Sequence, residues 1–333
     1  MLYAQRIDPV DLSIVVPVFN EADNVALLIS RVVAAVEPST LSYQLLLVDD
    51  GSKDETAERI KEAALTNGRV ELLSLARNFG HQMALTAGLD HARGRVVISM
   101  DGDLQHPPEL IPELLALYQQ GNDVVYTVRE QEEGLSWFKR TSSSAFYRLF
   151  NSLSPVKILE ASSDFRLMSR KAVEAVKAMP ERHRFLRGMI PWTGMRHAVL
   201  KYKPAQRHAG VAKYSPLRMI SMALDASFSF SRLPLQVATL LGLATVIGCM
   251  TYLVAAVVAW YYGRTVEGWT GIMATVLFLG GVQLLCVGLL GEYVGRIYEE
   301  VKGRPLYVVH EHVRARALSG QESNPRVEQE SIH

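Results

Sequence analysis

The sequence predicts an α/β domain with a mostly parallel sheet, followed by a two-helix transmembrane hairpin. Three observations carry this. Short apolar runs alternate with helical periodicity over the first half of the 333 residues. The acidic motifs fall directly after apolar runs, where open α/β sheets place their ligands. Two long stretches near the C-terminus contain no charged residue.

Ser13–Val18 (SIVVPV) is a continuous apolar run, as expected of a parallel strand buried on both faces. Val25, Leu28, Ile29, Val32, Val33 and Val36 then recur with helical period. Gln44–Val48 is the next strand, stopped by Asp49-Asp50-Gly51-Ser52, and a second helical pattern runs from about Asp54 to Leu65. Val70–Leu75, Val96–Met100 and Asp123–Thr127 read as further strands. Repeated strand–helix units imply helices on both faces of the sheet.

Leu233–Gly263 and Gly268–Gly291 are the uncharged stretches. As helices rising about 1.5 Å per residue, both exceed the ~30 Å hydrocarbon core of a bilayer. Arg264–Glu267 is a short turn between them, so both ends of the hairpin emerge on one side. Arg207, Lys213, Arg218 and Arg232 precede the first span, and Arg296, Lys302, Arg304, Arg314 and Arg316 follow the second. That excess of basic residues predicts a plasma-membrane protein with its large domain and both termini in the cytoplasm. Met1–Asp11 is short and polar, which is not a secretory signal.

The predicted organisation is therefore a catalytic domain over residues 1–214, an amphipathic segment over 215–232, spans over 233–263 and 268–291, a cytoplasmic juxtamembrane segment over 292–319 and a disordered tail over 320–333. In 215–232, Leu217, Ile220, Leu224 and Phe228 share one helical face. This fits a helix lying at the bilayer interface, and equally a helix of the soluble domain. Gly242, Gly248, Gly280, Gly281 and Gly288 permit close helix packing, either within the hairpin or in a homo-oligomer.

A formal net charge of +1 gives no support to nucleic acid as a partner. The two cysteines, Cys249 and Cys286, both lie in apolar stretches and read as small hydrophobes.

The sharpest local signal is Asp101-Gly102-Asp103-Leu104-Gln105-His106-Pro107-Pro108 after the strand VVISM. Two carboxylates one residue apart suit a hard divalent cation, which leaves positions for substrate phosphate. Alone, the pattern also fits an acidic turn that stops a strand. Asp49-Asp50-Gly51-Ser52 and Pro17-Val18-Phe19-Asn20-Glu21 occupy equivalent places after their strands.

With IVVPVFNE, LLLVDDGSKD, RNFGHQMAL and SMDGDLQHPPE in hand, the chain resembles the inverting glycosyltransferases of GT-A (Rossmann-like) fold. It is most similar to the dolichyl-phosphate mannose synthase-like branch. Ser163–Arg170, Arg207–Tyr214 and the ending LLGEYVGRIYEEVKGRP extend the resemblance over about Ser13 to Val309. The two-helix anchor is like that of bacterial undecaprenyl-phosphate glucosyltransferases.

The resemblance implies transfer of a sugar from a nucleotide donor to undecaprenyl phosphate with inversion, with glucose from UDP-glucose the first expectation. Pro17, Phe19, Glu21, Val48 and Asp50 would hold the donor's base and ribose. Asp101, Asp103 and Gln105 would hold Mg²⁺ or Mn²⁺ and the diphosphate, with Gly102 near the ribose. Arg129 would face the sugar–phosphate end, and Arg207 and Lys213 would clamp phosphates. Asp164 matches the carboxylate usually proposed as base, which makes Asp103 and Asp164 the catalytic residues. Ser163 departs from the Gly common before that Asp.

A phosphate monoester nucleophile has a second pKa of about 6, so it is largely ionised at neutral pH and has little need of a base. Asp164 could instead orient the acceptor or stabilise the positive charge growing at the anomeric carbon. The acceptor phosphate needs cations of its own, and Arg182, Arg184 and Arg187 are a dense basic group suited to phosphate forks or to anionic lipid headgroups. Gly80 before His81 and Gln82 allows close backbone approach to a ligand, or simply a loop that caps a helix. His106, beside two prolines, reads as structural.

A processive polysaccharide synthase would need more spans and a Q-x-x-R-W motif, and the sequence has neither. Within the branch, aminoarabinose, mannose and N-acetylated sugars stand as alternatives to glucose. From another class, an inactive membrane scaffold that binds nucleotide sugar is disfavoured by the complete set of acidic and basic site residues.

Overall fold

A computed structural model of the chain describes residues 10–130, 162–203, 233–263 and 268–314. These fall into two compact units, one comprising residues 10–130, 162–203 and 305–314 and the other 233–263 and 268–304. Arg207, Lys213, the 215–232 segment and the 320–333 tail lie outside the described residues.

The first unit follows the predicted alternation. β1 (Leu12–Val18), α1 (Ala22–Val36), β2 (Tyr43–Asp49), α2 (Thr56–Thr66), β3 (Val70–Leu75), α3 (His81–His91), β4 (Val96–Ser99), α4 (Ile111–Gln119) and β5 (Val124–Arg129) come in order. Then follow β6 (Ser162–Ser169), α5 (Arg170–Lys177), α6 (Leu186–Trp192) and β7 (His197–Tyr202). β8 (Val309–Arg314) comes after the second unit in sequence. The sheet order is β7-β5-β6-β4-β1-β2-β3-β8. All its pairings are parallel except those of β6 with β4 and β5 and of β8 with β3.

β1 and β2 are buried at every position because helices cover both faces. Ile14, Val16, Leu45, Leu47 and Leu72 pack with Val25, Leu28 and Val32 of α1 and Ile60 of α2. Val15 and Val48, on the opposite face, lie against Gly88 of α3. Phe165 belongs to the first face, so strand alternation turns Asp164 and Arg166 toward the other.

At the opposite end of the strands from the acidic motifs, a buried polar ladder crosses the sheet. Ser13 Oγ donates to Gln44 Oε1 at 2.7 Å, and Gln44 Nε2 donates to Glu71 Oε2 at 2.9 Å. Glu71, 3% exposed, also pairs with Arg93 and sits 3.2 Å from His312 Nε2 of β8. Burial works against the Glu71 charge, but His312, Arg93 and Gln44 outweigh it and hold the carboxyl below its usual range. The strand within the expected juxtamembrane segment is thus part of the sheet, fastened by a carboxylate that β3 buries.

The second unit is an antiparallel helical hairpin of α7 (Leu233–Tyr261) and α8 (Trp269–Lys302). Cys286 reaches the Ala238 carbonyl, and Gly271 lies by the Tyr252 hydroxyl, so positions pair in reverse order. Ala238–Ala259 and Phe278–Lys302 are long and apolar enough to cross a membrane, with mean hydropathies of 2.2 and 1.5. Among the described residues neither is covered by protein: Leu240, Leu253, Phe278 and Leu284 are all more than half exposed. Membrane association follows from bare apolar surface on this scale. The helix does not stop where charge resumes after Gly291. It continues to Lys302, carrying a Glu292–Arg296 pair one turn apart, and ends at Gly303 with φ +61°.

Replacing Glu71 by Ala leaves the partners of a buried charge behind. Because Arg93 retains some access to water, we expect a loss at the low end for such pairs, about 3 kcal/mol, read from thermal melts. Amide exchange should show faster opening of Val309–Arg314 than in the unaltered chain.

Candidate active site

The site forms where β1, β2 and β4 end and the antiparallel β6 begins. The loop after β4 alternates in burial: Gly102, Leu104 and His106 point inward, while Asp101, Asp103 and Gln105 are half-buried. Leu104, 1% exposed, anchors a left-handed turn with φ +62°. The Gln105 amide closes that turn on Asp103 Oδ1 at 3.2 Å. Gly102 is packed so closely that a Cβ would lie 2.8 Å from Val18 Cγ1. One short loop therefore brings the three expected metal-binding side chains to one open side.

His106 is fully buried, stacks on Phe165 with centroids 5.4 Å apart, and accepts the Asp101 amide on Nδ1 at 2.9 Å. Burial lowers its pKa, so the ring stays neutral and serves as the prop of the Asp101 turn. Arg129 ends β5 half-buried, donates through Nε to the Tyr202 hydroxyl at 3.1 Å, and rests its Nη2 3.3 Å from His106.

Asp164 lies beside the end of β4, where Ser99 Oγ donates to its carbonyl at 2.6 Å. Its carboxylate is nearly inaccessible, at 3% residue exposure. Arg187 of α6 grips it with a fork, Nε to Oδ1 at 3.2 Å and Nη2 to Oδ2 at 2.9 Å. Arg166, fully buried below it, pairs with Oδ1. Burial alone would raise the Asp164 pKa, but Arg187, the His81 contact and Arg166 hold it well below the usual carboxylate range. Burial in turn pulls Arg166 down, against the opposing effect of Asp164. Ser163, the departure from the expected Gly, sits in β6 where its register with β5 shifts. Thr127 Oγ1 donates to the Phe165 carbonyl and so receives the Ser163 hydroxyl, each at 2.6 Å.

Asp50 has a different occupation from the one expected of it. It is buried and takes the amides of Phe79 at 2.7 Å and Gly80 at 2.9 Å on its two oxygens. Burial outweighs those bonds and raises its pKa. Gly51 next to it has φ +68°, and a Cβ there would lie 2.5 Å from the Arg77 carbonyl carbon, so the two loops meet backbone to backbone. The turn so held starts α3, and there His81 Nε2 comes to 3.4 Å from both Asp101 Oδ1 and Asp164 Oδ2. Sequence reasoning left His81 between a ligand loop and a helix cap. Its place at the start of the helix that follows β3, on the strand-end side of the sheet, is the available signal.

Packing restricts what two of the expected residues can contribute. Val48 is fully buried with its side chain on α3, so that side chain cannot touch a nucleotide. Arg184 is buried and spends its guanidinium on the carbonyls of Val176 at 3.0 Å and Met179 at 2.7 Å, which removes it from the acceptor-binding group. Arg187 joins Asp164, while Arg182 is half-buried. Around the nucleotide end, Phe19 is 36% exposed, Pro17 is buried, and the Glu21 amide is held by Thr56 Oγ1 at 2.9 Å.

The donor set fits a divalent ion. Asp101 Oδ1 is buried with no hydrogen-bond partner among the described residues, although it belongs to a carboxylate. His81, Asp101 and Asp164 also bring ligating atoms within 4.8 Å of one another.

Residues 13–177 match the family described as Glycosyl transferase family 2, and residues 233–297 match the GtrB C-terminal hairpin. The chain is 41% identical over 301 residues to the SfII prophage-derived bactoprenol glucosyl transferase of Shigella flexneri, covering 90% of this chain and 97% of the relative. It is 39% identical over 304 residues to the prophage bactoprenol glucosyl transferase homolog of Escherichia coli K12, covering 90% and 98%. An uncharacterised glycosyltransferase of Synechocystis is 41% identical over 303 residues, covering 90% and 95%. Among solved structures, the glucosyl-3-phosphoglycerate synthase of Mycobacterium tuberculosis with Mg²⁺ and UDP is similar at TM-score 0.45 and 19% identity, over 66% of this chain and 77% of that one.

The Arg187 fork should not tolerate lysine, which keeps the charge but not the two parallel donors. Arg187→Lys is expected to lower turnover by about tenfold, the equivalent of one charge-assisted hydrogen bond, in steady-state assays of sugar transfer.

Proposed function

We propose, for a chain that belongs to the glycosyl transferase family 2, that it transfers glucose from UDP-glucose to undecaprenyl phosphate with inversion, working from the cytoplasmic face of the membrane. The single observation that carries this is the combination, in one chain, of the acidic loop at the strand ends with a bare apolar hairpin. Full-length similarity to relatives named bactoprenol glucosyl transferases supports the lipid acceptor and the sugar.

Asp101, Asp103 and Gln105 would hold Mg²⁺ or Mn²⁺, which when bound offsets the charge of the departing diphosphate. The ends of β1 and β2, with Phe19 and Glu21, line the nucleotide side, and Arg129 serves the sugar–phosphate end. Asp50 contributes by fastening the 79–80 turn. Arg207 and Lys213 remain in the proposal as phosphate clamps that close over the donor. Arg182 and Arg187 are the cations for the acceptor phosphate, without Arg184.

The lipid phosphate attacks the anomeric carbon opposite the nucleotide, so its oxygen forms the new bond as the sugar–diphosphate bond breaks. Asp164 is a poor proton acceptor, because two arginines stabilise its charged form. It therefore works as a fixed negative charge that orients Arg187 and faces the positive charge growing at the anomeric carbon. An ionised phosphate needs no base, whereas a sugar hydroxyl would.

Purified protein given UDP-glucose, Mg²⁺ and undecaprenyl phosphate is expected to yield glucosyl-lipid. EDTA should abolish the product and added Mn²⁺ or Mg²⁺ restore it, and Asp101→Ala with Asp103→Ala should be inactive. A nucleotide-sugar panel that favours another donor would replace glucose, and no lipid product with any donor would leave only the scaffold reading.

The pH profile offers a separate check. A carboxylate with a depressed pKa stays charged until pH falls through that low value, so Asp164 titrates below the working range. The acid limb of kcat/KM for the acceptor should have an apparent pKa of about 6, that of the phosphate. Asp164→Asn should lose most activity at neutral pH, while its residual rate keeps the same limb.

A further inference from the structure

His81 is where the metal-binding and acceptor-facing halves of the site meet. Its backbone is fixed from several directions. Asp50 holds the two preceding amides, and the Gly80 carbonyl receives the amides of Met83 at 2.9 Å and Ala84 at 3.0 Å. Gln82 Oε1 receives the Leu186 amide at 3.2 Å, which ties the start of α3 to the helix that carries Arg187. The imidazole is therefore delivered to one place by rigid elements. It is not a core residue, since its side chain is 43% exposed.

That place lies between two carboxylates. Asp101 Oδ1 and Asp164 Oδ2 are each 3.4 Å from the same nitrogen, Nε2. Asp164 is also engaged by Arg166 at Oδ1 and by Arg187 at both oxygens. Among the described residues Asp101 Oδ1 has no hydrogen bond, so the 3.4 Å approach of Nε2 is a charge contact rather than a hydrogen bond. Like charges this close repel, and an N–H directed between them offsets the repulsion. Two carboxylate oxygens at one nitrogen call for a hydrogen there, and Nε2 carries one in the imidazolium and in the corresponding neutral tautomer. In the other tautomer the same nitrogen would be a ligand beside Asp101 and Asp164, and the variants below separate the two roles.

We propose that His81 is a positioning residue that holds the Asp101 carboxylate at a fixed spacing from Asp164, and so sets the orientation in which Asp101 receives the divalent ion. The inference rests on the proposed metal-dependent transfer. It adds a residue that acts through Asp101 rather than on the substrate. In metal sites, a hydrogen-bonded neighbour that orients a ligand contributes to affinity nearly as the ligands do.

The test compares His81→Phe, which keeps the ring volume without the donor, with His81→Gln, whose amide N–H₂ reaches to about the same point. Both are made in the full chain in detergent, and thermal melts confirm folding. Mn²⁺ binding in the presence of UDP is followed by loss of the free-ion EPR signal, a readout that does not depend on turnover. His81→Phe should weaken Mn²⁺ binding and lower kcat by about 10- to 100-fold, with the KM for UDP-glucose at saturating Mn²⁺ little changed. His81→Gln should recover most of both losses.

Unchanged Mn²⁺ affinity in His81→Phe overturns the proposal. So does a Gln variant as weak as the Phe variant, because then the imidazole itself ligates the ion or merely fills space. The functional reading fails separately. A wild-type protein that binds Mn²⁺ with UDP but forms no lipid-linked sugar rejects the reaction while the His81 comparison still stands on binding. A wild type that binds no Mn²⁺ with UDP rejects both.

Discussion

A charged carboxylate sunk almost completely into protein is the constraint around which the site is arranged. Stripping water from Asp164 disfavours its charge, and an isolated buried carboxylate would take up a proton instead. Here the Arg187 fork, the buried Arg166 and His81 surround it and keep it ionised. Each of those partners arrives from a different element: Arg166 from β6 itself, His81 from the start of α3, Arg187 from α6. The carboxylate can therefore stay charged only when the sheet, the α3 turn and α6 are all in place. Correct folding and a competent site are one condition.

The same dependence explains the work given to residues that hold their neighbours in place. Asp50 is placed by its motif among nucleotide contacts, yet it spends both oxygens on the amides of the turn before His81. His106 spends its buried ring on holding the Asp101 backbone. Leu104 fills the core so that its neighbours on either side stay accessible. The acidic loop is thus held rigidly before any ion reaches it, which lowers the cost of assembling ligands when one does.

At the other end of the strands the fold solves a different problem. β3 would be an exposed edge with a buried acid beside it. β8 returns after the hairpin to pair with it and brings His312 and Arg314 to Glu71. One segment pairs the edge and adds its cations to Arg93 beside the acid. The hairpin itself needs no such compensation: its helices satisfy their own backbone, and their apolar sides suit lipid rather than protein.

Much of this was legible from residue order. Continuous apolar runs between helical periods determined the covered parallel sheet, because burial on both faces leaves few polar positions. Uncharged stretches longer than a bilayer determined the hairpin, and motif position at strand ends located the site. Residue order did not reveal β8, because a six-residue strand that pairs with a partner more than two hundred residues earlier has no local signature. Nor did it separate Arg184 from Arg187, which stand in one basic run: the loop before α6 turns Arg184 inward to carbonyls, and α6 turns Arg187 toward Asp164. The sequence by itself determined which chemical groups the protein carries and which elements hold them. Only the tertiary structure decided which of those groups face one another, because charge pairing across the site depends on distances between segments far apart in the chain.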